Sequence, residues 1–278
     1  MGTPWSITVY AFDTVHARRV IDSAYARIEE IEQSMSDYRG DSEINRLSRA
    51  PAGRWHAVSE ELLQVMTLSL RLARWSDGAF DPTIGPLSRI WRRAFRRRVF
   101  PEAGSIGTAK ALVDYRRVKV HPDKGIRFRR DGVRLDLGGI AKGYALDAAA
   151  QVLKRSGLPS FLIDGGGDLL LGEAPPGKPG WRVATPAGPI DTSRVAIATS
   201  GSSYRYLEQN GIRYSHLIDP RTGFGIVDPR SVTVLAPTGI QADGLASAAS
   251  VLGEEGWSRR RADFPQARII WSKPGGSW

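Results

Sequence analysis

The chain has 278 residues, 41% of them hydrophobic, with eight Trp, no Cys and a formal net charge of +10, a size that supports one large or two modest domains with a substantial core. The lack of cysteine excludes disulfides, thiolate zinc sites and cysteine nucleophiles, and leaves four histidines as the only soft ligands, so any metal is expected to be hard and oxygen-bound. No apolar run approaches the roughly 18 residues of a membrane span, and "MGTPWSITVY" has no basic segment followed by an apolar core, so no signal peptide is expected and the chain is read as cytoplasmic or trimmed.

In chain order, "SITVY" alternates as a strand. Val20, Ala24, Ile28, Ile31 and Met35 then form one helical stripe. The polar segment "MSDYRGDSEINRLS" is too rich in turn formers for an ordinary linker. A second helix starts at Ser59 as N-cap, runs through Leu62, Val65, Met66, Ser69, Leu72 and Ala73, and stops at Gly78. "DGAFDPTIGPL" is turn-rich, and its Asp81 either accepts from a ligand amine or caps the chain. The basic run "RIWRRAFRRRVF", residues 89 to 100, reads as a solvated helix face or loop. Such charge attracts nucleic acid, acidic proteins or anionic lipid, but no RNA-binding or helix-turn-helix signature accompanies it.

From residue 117 the pattern turns strand-rich: "RVKV", "IRFR", "VRLDL", "FLIDGGGDLLLGE", "WRVATP", "RVAIATS", "SVTVLAP" and "ARIIW". Two helices interrupt it, one after Gly139 and one from near Ala242 to Gly253. Helices that are grouped rather than alternating with strands predict an α+β fold over a doubly wound sheet.

The stretch "RLDLGGIAKGYALDAAAQVLKRSG", residues 134 to 157, reads as a buried strand, a glycine turn and an amphipathic helix with Lys142 in its first turn. Unpaired N–H groups at such a helix start favour phosphate oxygens. The spacing fits neither the Walker nor the dinucleotide fingerprint, so a plain strand-to-helix turn stands beside the phosphate reading. In "ADGLASAASVLG", Asp243 and Ser247 lie four residues apart and project from one helix face. That spacing suits Mg²⁺, which takes one or two carboxylates plus phosphate oxygens; a dipole-satisfying aspartate and a small packing serine are the alternative. "SHLIDPRTGFG" offers His216 as a base and Arg221 as a phosphate donor, or an Asx turn at Asp219 with His216 hydrogen-bonded in a strand.

Taken together, eight ordered blocks resemble the ApbE family, whose members are FAD:protein FMN transferases: "MGTPW", "MSDYRGDSEINRLS", "DGAFDPTIGPL", "LDLGGIAKGYALD", "DGGGDLL", "ATSGSSYRY", "YSHLIDPRTG" and "ADGLASAASVLG". The resemblance covers nearly the whole chain. It implies a T-fold-like, two-part α+β architecture with a central, mostly antiparallel sheet and flanking helices, forming one catalytic unit over 1–278, helix-richer at roughly 11–116 and strand-richer at roughly 117–278. FAD would be the substrate, with a Mg²⁺ ion bridging its diphosphate. Met1, Tyr38 and Ala79-Phe80-Asp81 would line the flavin and adenine pockets together with Ile218; Asp136, Gly138, Gly139 and Lys142 would reach the nucleotide. The cation would sit on Asp243, Ser247 and the Ala141 carbonyl.

The implied reaction moves FMN from FAD to a threonine or serine hydroxyl of a separate acceptor protein, such as a membrane redox protein or flavoprotein, and releases AMP. His216 would take the proton and Arg221 would steady the developing charge. An FAD pyrophosphatase and a flavin-binding protein without turnover are the alternatives, and nucleic acid is not an expected partner. Two departures from the family pattern are a serine at 247 in place of the commoner threonine, and Gly225 in place of proline, which predicts a looser loop. The family is commonly periplasmic and anchored to the inner membrane, which leaves the localisation open beside the cytoplasmic reading.

Overall fold

The computed structural model describes residues 2–201 and 206–272. In chain order the elements are β1 (Trp5–Val9), α1 (Thr14–Met35), α2 (Glu43–Ser48), α3 (Glu60–Trp75), α4 (Gly85–Arg97), α5 (Ala103–Lys110), β2 (Val118–His121), β3 (Gly125–Phe128), α6 (Ala141–Arg155), β4 (Phe161–Gly165) and β5 (Asp168–Leu171). They continue as β6 (Trp181–Val183), β7 (Ile190–Thr192), β8 (Val195–Gly201), β9 (Tyr206–Gln209), β10 (Ile212–Ser215), β11 (Ser231–Ala236), α7 (Gly239–Ser258) and β12 (Arg268–Trp271).

A six-stranded sheet in the order β1-β4-β5-β8-β11-β12 is antiparallel at every pairing, so the fold is α+β. Alternation sends Ile163, Leu170, Ala198, Val232 and Val234 to one face, where they join the core formed with α1, α6 and α7. Leu171, Ile197 and Leu235 face the other way and are covered by Trp181 and Val183 of the β6-β7 ribbon. This is why all six residues of β11 are buried.

The helical stripe at Val20, Ala24, Ile28, Ile31 and Met35 is buried along α1, which packs on α6. Ser59 caps α3, its Oγ accepting from the Leu62 N–H at 3.2 Å. Gly78, at φ +74°, returns its N–H to the Ala73 carbonyl at 2.9 Å and stops that helix. The turn-rich segment after α1 contains α2, capped by Ser42.

Several elements differ from the sequence reading. "VRLDL" is not a strand: apart from an isolated bridge of Arg134 to Ile84, the hydrogen bonds of its backbone N–H groups go to groups distant in sequence rather than to a strand partner. The Leu135 N–H donates to Ser48 Oγ at 3.1 Å and the Asp136 N–H to the Pro82 carbonyl at 2.9 Å. The last helix starts at Gly239 rather than near Ala242; it breaks at Gly253 as expected, where φ is +69°, and a second helical stretch runs on to Ser258. The basic run, as read, is a solvated helix face: it lies on α4, whose other side packs Leu87 and Trp91 against Ile106 and Ala109 of α5. The loop at Gly225 is tightly closed, not loose: Ile218 bridges Gly225, and Phe224 and Leu217 carbonyls accept from the Asp219 and Ile226 N–H groups at 2.9 and 2.8 Å.

The backbones of α6 and α7 nearly touch where they cross. A Cβ on Gly143 would lie 2.1 Å from the Gly239 carbonyl oxygen, and one on Gly239 would lie 2.4 Å from that of Gly143. From α6, Asp147 accepts from the Gly239 and Ile240 N–H groups at 2.7 and 2.9 Å, supplying the cap that Thr238 does not and placing negative charge at the start of α7. Gly143→Ala is therefore expected to cost more than about 2 kcal/mol by overpacking, read as a lower urea midpoint. Gly107→Ala, at an exposed helical site with open space around it, should leave the midpoint unchanged or raise it.

Candidate functional site

A cavity of ≈ 760 Å³ opens between the sheet end, α4, the glycine turn before α6, and α7, within the size range of small-molecule sites. Three groups of residues meet in it: the α6-α7 crossing, the segment around Tyr38 and Arg92, and the loop after β10.

At the crossing, Asp243 and Ser247 both face the cavity. Asp243 Oδ2 accepts from the Gly143 N–H at 3.0 Å, while Oδ1 lies 3.8 Å from Lys142 Nζ. The Ser247 hydroxyl has no hydrogen-bond partner among the described residues, unlike Ser250, which bonds back to the Ala246 carbonyl at 2.9 Å. Gly139 passes so close that a Cβ there would stand 2.7 Å from Ser247 Oγ. A carboxylate oxygen that accepts no hydrogen bond and faces Lys142 across 3.8 Å, a hydroxyl and a bare stretch of main chain form a set of hard donors, which fits Mg²⁺ with substrate oxygens completing its shell. Among the described residues no three His, Cys, Asp or Glu side chains converge on one point, so the chain alone would supply only part of such a shell.

Ala141, the first residue of α6, lines the cavity beside Asp243 and Ser247, and the Gly139 main chain next to it runs against Ser247. The start of α6 is only partly an open phosphate cradle. The Ala141 N–H donates to the Leu137 carbonyl at 2.8 Å and that of Gly143 to Asp243, so a carboxylate of the chain itself occupies the anion position.

Lys142 pairs with Asp168 as well as facing Asp243. It therefore organises two carboxylates instead of extending freely toward a ligand. Against burial, Asp243 and Asp168 hold its ammonium well above the ordinary lysine value. Burial, with the nearby Asp243 charge, pushes the Asp168 carboxyl up to about 6 even beside the lysine. Asp168 is further fixed by the Thr199 N–H at 3.2 Å.

The second group is built on Arg92. Its guanidinium lies 4.2 Å from the Tyr38 ring centroid, pairs with Asp37, and reaches Asp136 Oδ2 at 2.9 Å. The other Asp136 oxygen accepts from the Gly138 N–H at 2.9 Å, tying the glycine turn to α4. Burial and the neighbouring Asp136 charge raise the Asp37 carboxyl to about 6. Tyr38 remains 73% exposed, leaving one face for a ring ligand.

Ala79, Phe80 and Asp81 line the cavity, but the Asp81 carboxylate faces inward. It accepts from the Thr83 N–H at 2.8 Å, the Thr83 hydroxyl at 2.7 Å and the Tyr115 N–H at 2.9 Å, so of its two sequence readings the chain-capping one holds. His216 and Ile218 line the cavity from the loop after β10, with His216 exposed and just beyond the strand end. Arg221 is not brought in. It clamps Asp219 through Nε and Nη2 at 2.9 and 2.8 Å and reaches the Val251 carbonyl at 3.4 Å, so its charge serves the loop. Met1 lies outside the described residues. Sequence reasoning gave no role to Asp37, Arg92 or Asp168; a signal existed for the last, which closes the glycine-rich block "DGGGDLL".

A model of the ApbE family matches residues 1–269. An FAD:protein FMN transferase of Klebsiella pneumoniae is 34% identical over 271 residues, spanning 92% of this chain and 77% of that protein. A protein of the same name from Treponema pallidum is 30% identical across 99% of this chain and 83% of its own length. Among solved structures, the flavin transferase ApbE from Vibrio cholerae superposes with a TM-score of 0.86 at 29% identity over 98% of this chain and 90% of that one. The apo form of the Pseudomonas stutzeri flavinyl transferase ApbE gives 0.85 at 26% identity, over 100% and 95%.

Asp37 and Asp168 hold their protons in the folded chain up to about 6, against 3.8 for an ordinary carboxyl. Their contribution to stability is therefore fully present below 3.8 and is lost as pH rises through about 6. The melting temperature of the cation-free protein is expected to fall between about pH 4 and about pH 6.5. Asp37→Asn, which mimics the protonated carboxyl, should flatten that slope, and millimolar Mg²⁺ should recover stability at the higher pH. A slope unaltered by the substitution contradicts the assignment.

Proposed function

The chain belongs to the ApbE family and is a transferase, and on that premise we propose that it moves the FMN part of FAD, with Mg²⁺, onto a threonine or serine hydroxyl of a separate protein. The supporting observation is that Asp243 and Ser247 line the same cavity as His216 and the Tyr38-Arg92 pair. Diphosphate, base and ring platform are thereby available to one extended nucleotide.

In this reading the acceptor oxygen attacks the phosphorus on the FMN side of the diphosphate. The new P–O bond forms as the bond to the AMP oxygen breaks, and AMP leaves. His216, exposed at the cavity, receives the hydroxyl proton, a role that needs no movement of the buried core. Tyr38 stacks on a ring, with Arg92 holding its opposite face. Lys142 keeps Asp243 and Asp168 in place through its ammonium. Phosphoryl transfer is chiefly a matter of positioning and charge neutralisation, and a divalent cation on Asp243, Ser247 and the Ala141 carbonyl would withdraw charge from the diphosphate.

Full-length protein incubated with FAD, Mg²⁺ and a threonine-containing peptide should yield a peptide that stays fluorescent after denaturation and gains the mass of FMN. Asp243→Ala is expected to abolish the adduct. His216→Ala should lower kcat by about 10²- to 10⁴-fold with FAD binding retained. FMN and AMP released without adduct would show water to be the acceptor, and FAD binding without turnover would reduce the protein to a flavin carrier; either outcome refutes the proposal.

A further inference from the structure

Helix α4 has two unlike faces. Ile84, just before it, and Ser88, Trp91, Arg92 and Phe95 form a helical stripe that lines the cavity. The opposite side carries Arg89, Arg93, Arg96 and Arg97, followed by Arg98 at the C-cap, all exposed. Among the described residues, none of these five forms an ion pair, whereas Arg27, Arg39, Arg182, Arg194, Arg230 and Arg259, elsewhere on the surface, each have a carboxylate within 3.3 Å. Between Asp81 and Glu102 the chain has no acidic residue. The cationic field extends beyond the helix: burial, then the charges of Arg89 and Arg49, lower the Arg134 pKa. Unpaired like charges along one helix oppose its formation, so the packing of Trp91 and Leu87 sustains an arrangement that local electrostatics disfavour.

We infer that the arginine face of α4 is a docking surface for an acidic segment of the acceptor protein. The inference rests on the transferase reading above, which requires a protein to present a hydroxyl at this cavity. A segment seated on these arginines stands one helix diameter, about 10–12 Å, from the cavity that the same helix lines. Charge complementarity of this kind steers encounter and fixes orientation more than it adds affinity. A membrane fits less well: the apolar side of α4, with Leu87, Trp91 and Ala94, is buried in the protein, so the helix has no apolar face to immerse in an interface.

The test uses two labelled peptides of equal length, each with a single threonine, one carrying about six Asp and Glu residues and the other Asn and Gln in their places. Anisotropy titrations of the full chain without FAD, at about 50 and about 300 mM salt, read binding alone. The acidic peptide is expected to bind at least roughly tenfold tighter than the neutral one, with the difference collapsing at high salt. R93E/R96E/R97E should weaken it by a further factor of about ten or more, and R93Q/R96Q/R97Q by less, while FAD affinity and the melting curve stay at wild-type values. Equal binding of both peptides, or unchanged binding by both triple variants, overturns the proposal. So does arginine-dependent binding of phosphatidylglycerol vesicles by a protein that ignores the acidic peptide. Because FAD takes no part in the titration, failed flavin transfer with intact peptide binding would count against the transferase reading alone.

Discussion

The site depends on one contact, the near-touching backbones of α6 and α7. Two glycines face each other there, and any side chain at either position would push the helices apart. That closeness lets a single carboxylate, Asp243, accept a main-chain N–H from the neighbouring helix while keeping its other oxygen toward the cavity. It also brings Ser247 against the Gly139 main chain. Asp147 holds the crossing from one side by capping α7, and the sheet holds it from the other, because α7 packs on β8 and β11. The bare backbone of the glycine turn is thus explained first by helix packing, and the donor set is a consequence of that packing.

Electrostatically, the cavity contains the same device twice. Lys142 sits between Asp168 and Asp243, and Arg92 between Asp37 and Asp136. Buried pairs of this kind are poor sources of stability, since desolvation offsets much of the attraction. Their effect here is positional: each cation fixes two carboxylates, and through Asp136 and Asp243 both clusters grip the glycine turn and the start of α6.

Much of this was legible in the sequence because it is periodic or local. The α1 stripe, the Ser59 cap, the Gly78 stop and the i, i+4 spacing of Asp243 and Ser247 depend only on neighbours along the chain. Long-range pairing was less accessible. Arg92 looks like every other arginine of its run until folding brings Asp37 and Asp136, from 55 and 44 residues away, to its two ends. "VRLDL" has a strand's alternation, but its hydrogen bonds go to Ser48 and Pro82, which no local pattern announces. Arg221 lies two residues from the Asp219 that captures it, a local competition that the resemblance to a family motif obscured.

The charge distribution also bears on why a cation belongs in the proposed chemistry. With its carboxylates ionised, each of the two clusters carries one positive and two negative charges, so the cavity wall is net negative where a diphosphate would lie. The abundant positive charge of the chain does not compensate, because the arginines of α4 that are free of ion pairs point away from the cavity. Lys142, the nearest candidate, is already neutralised by Asp168. In the proposed reaction an anionic nucleotide would meet repulsion from the chain alone, and a divalent ion on Asp243 and Ser247 would reverse the sign at that point. The serine in place of threonine keeps the oxygen on which this depends. The surface proposed to dock acidic protein and the cavity proposed to take a cation are two sides of one helix, and their opposite polarity would keep the acceptor chain and the nucleotide from competing for the same charges.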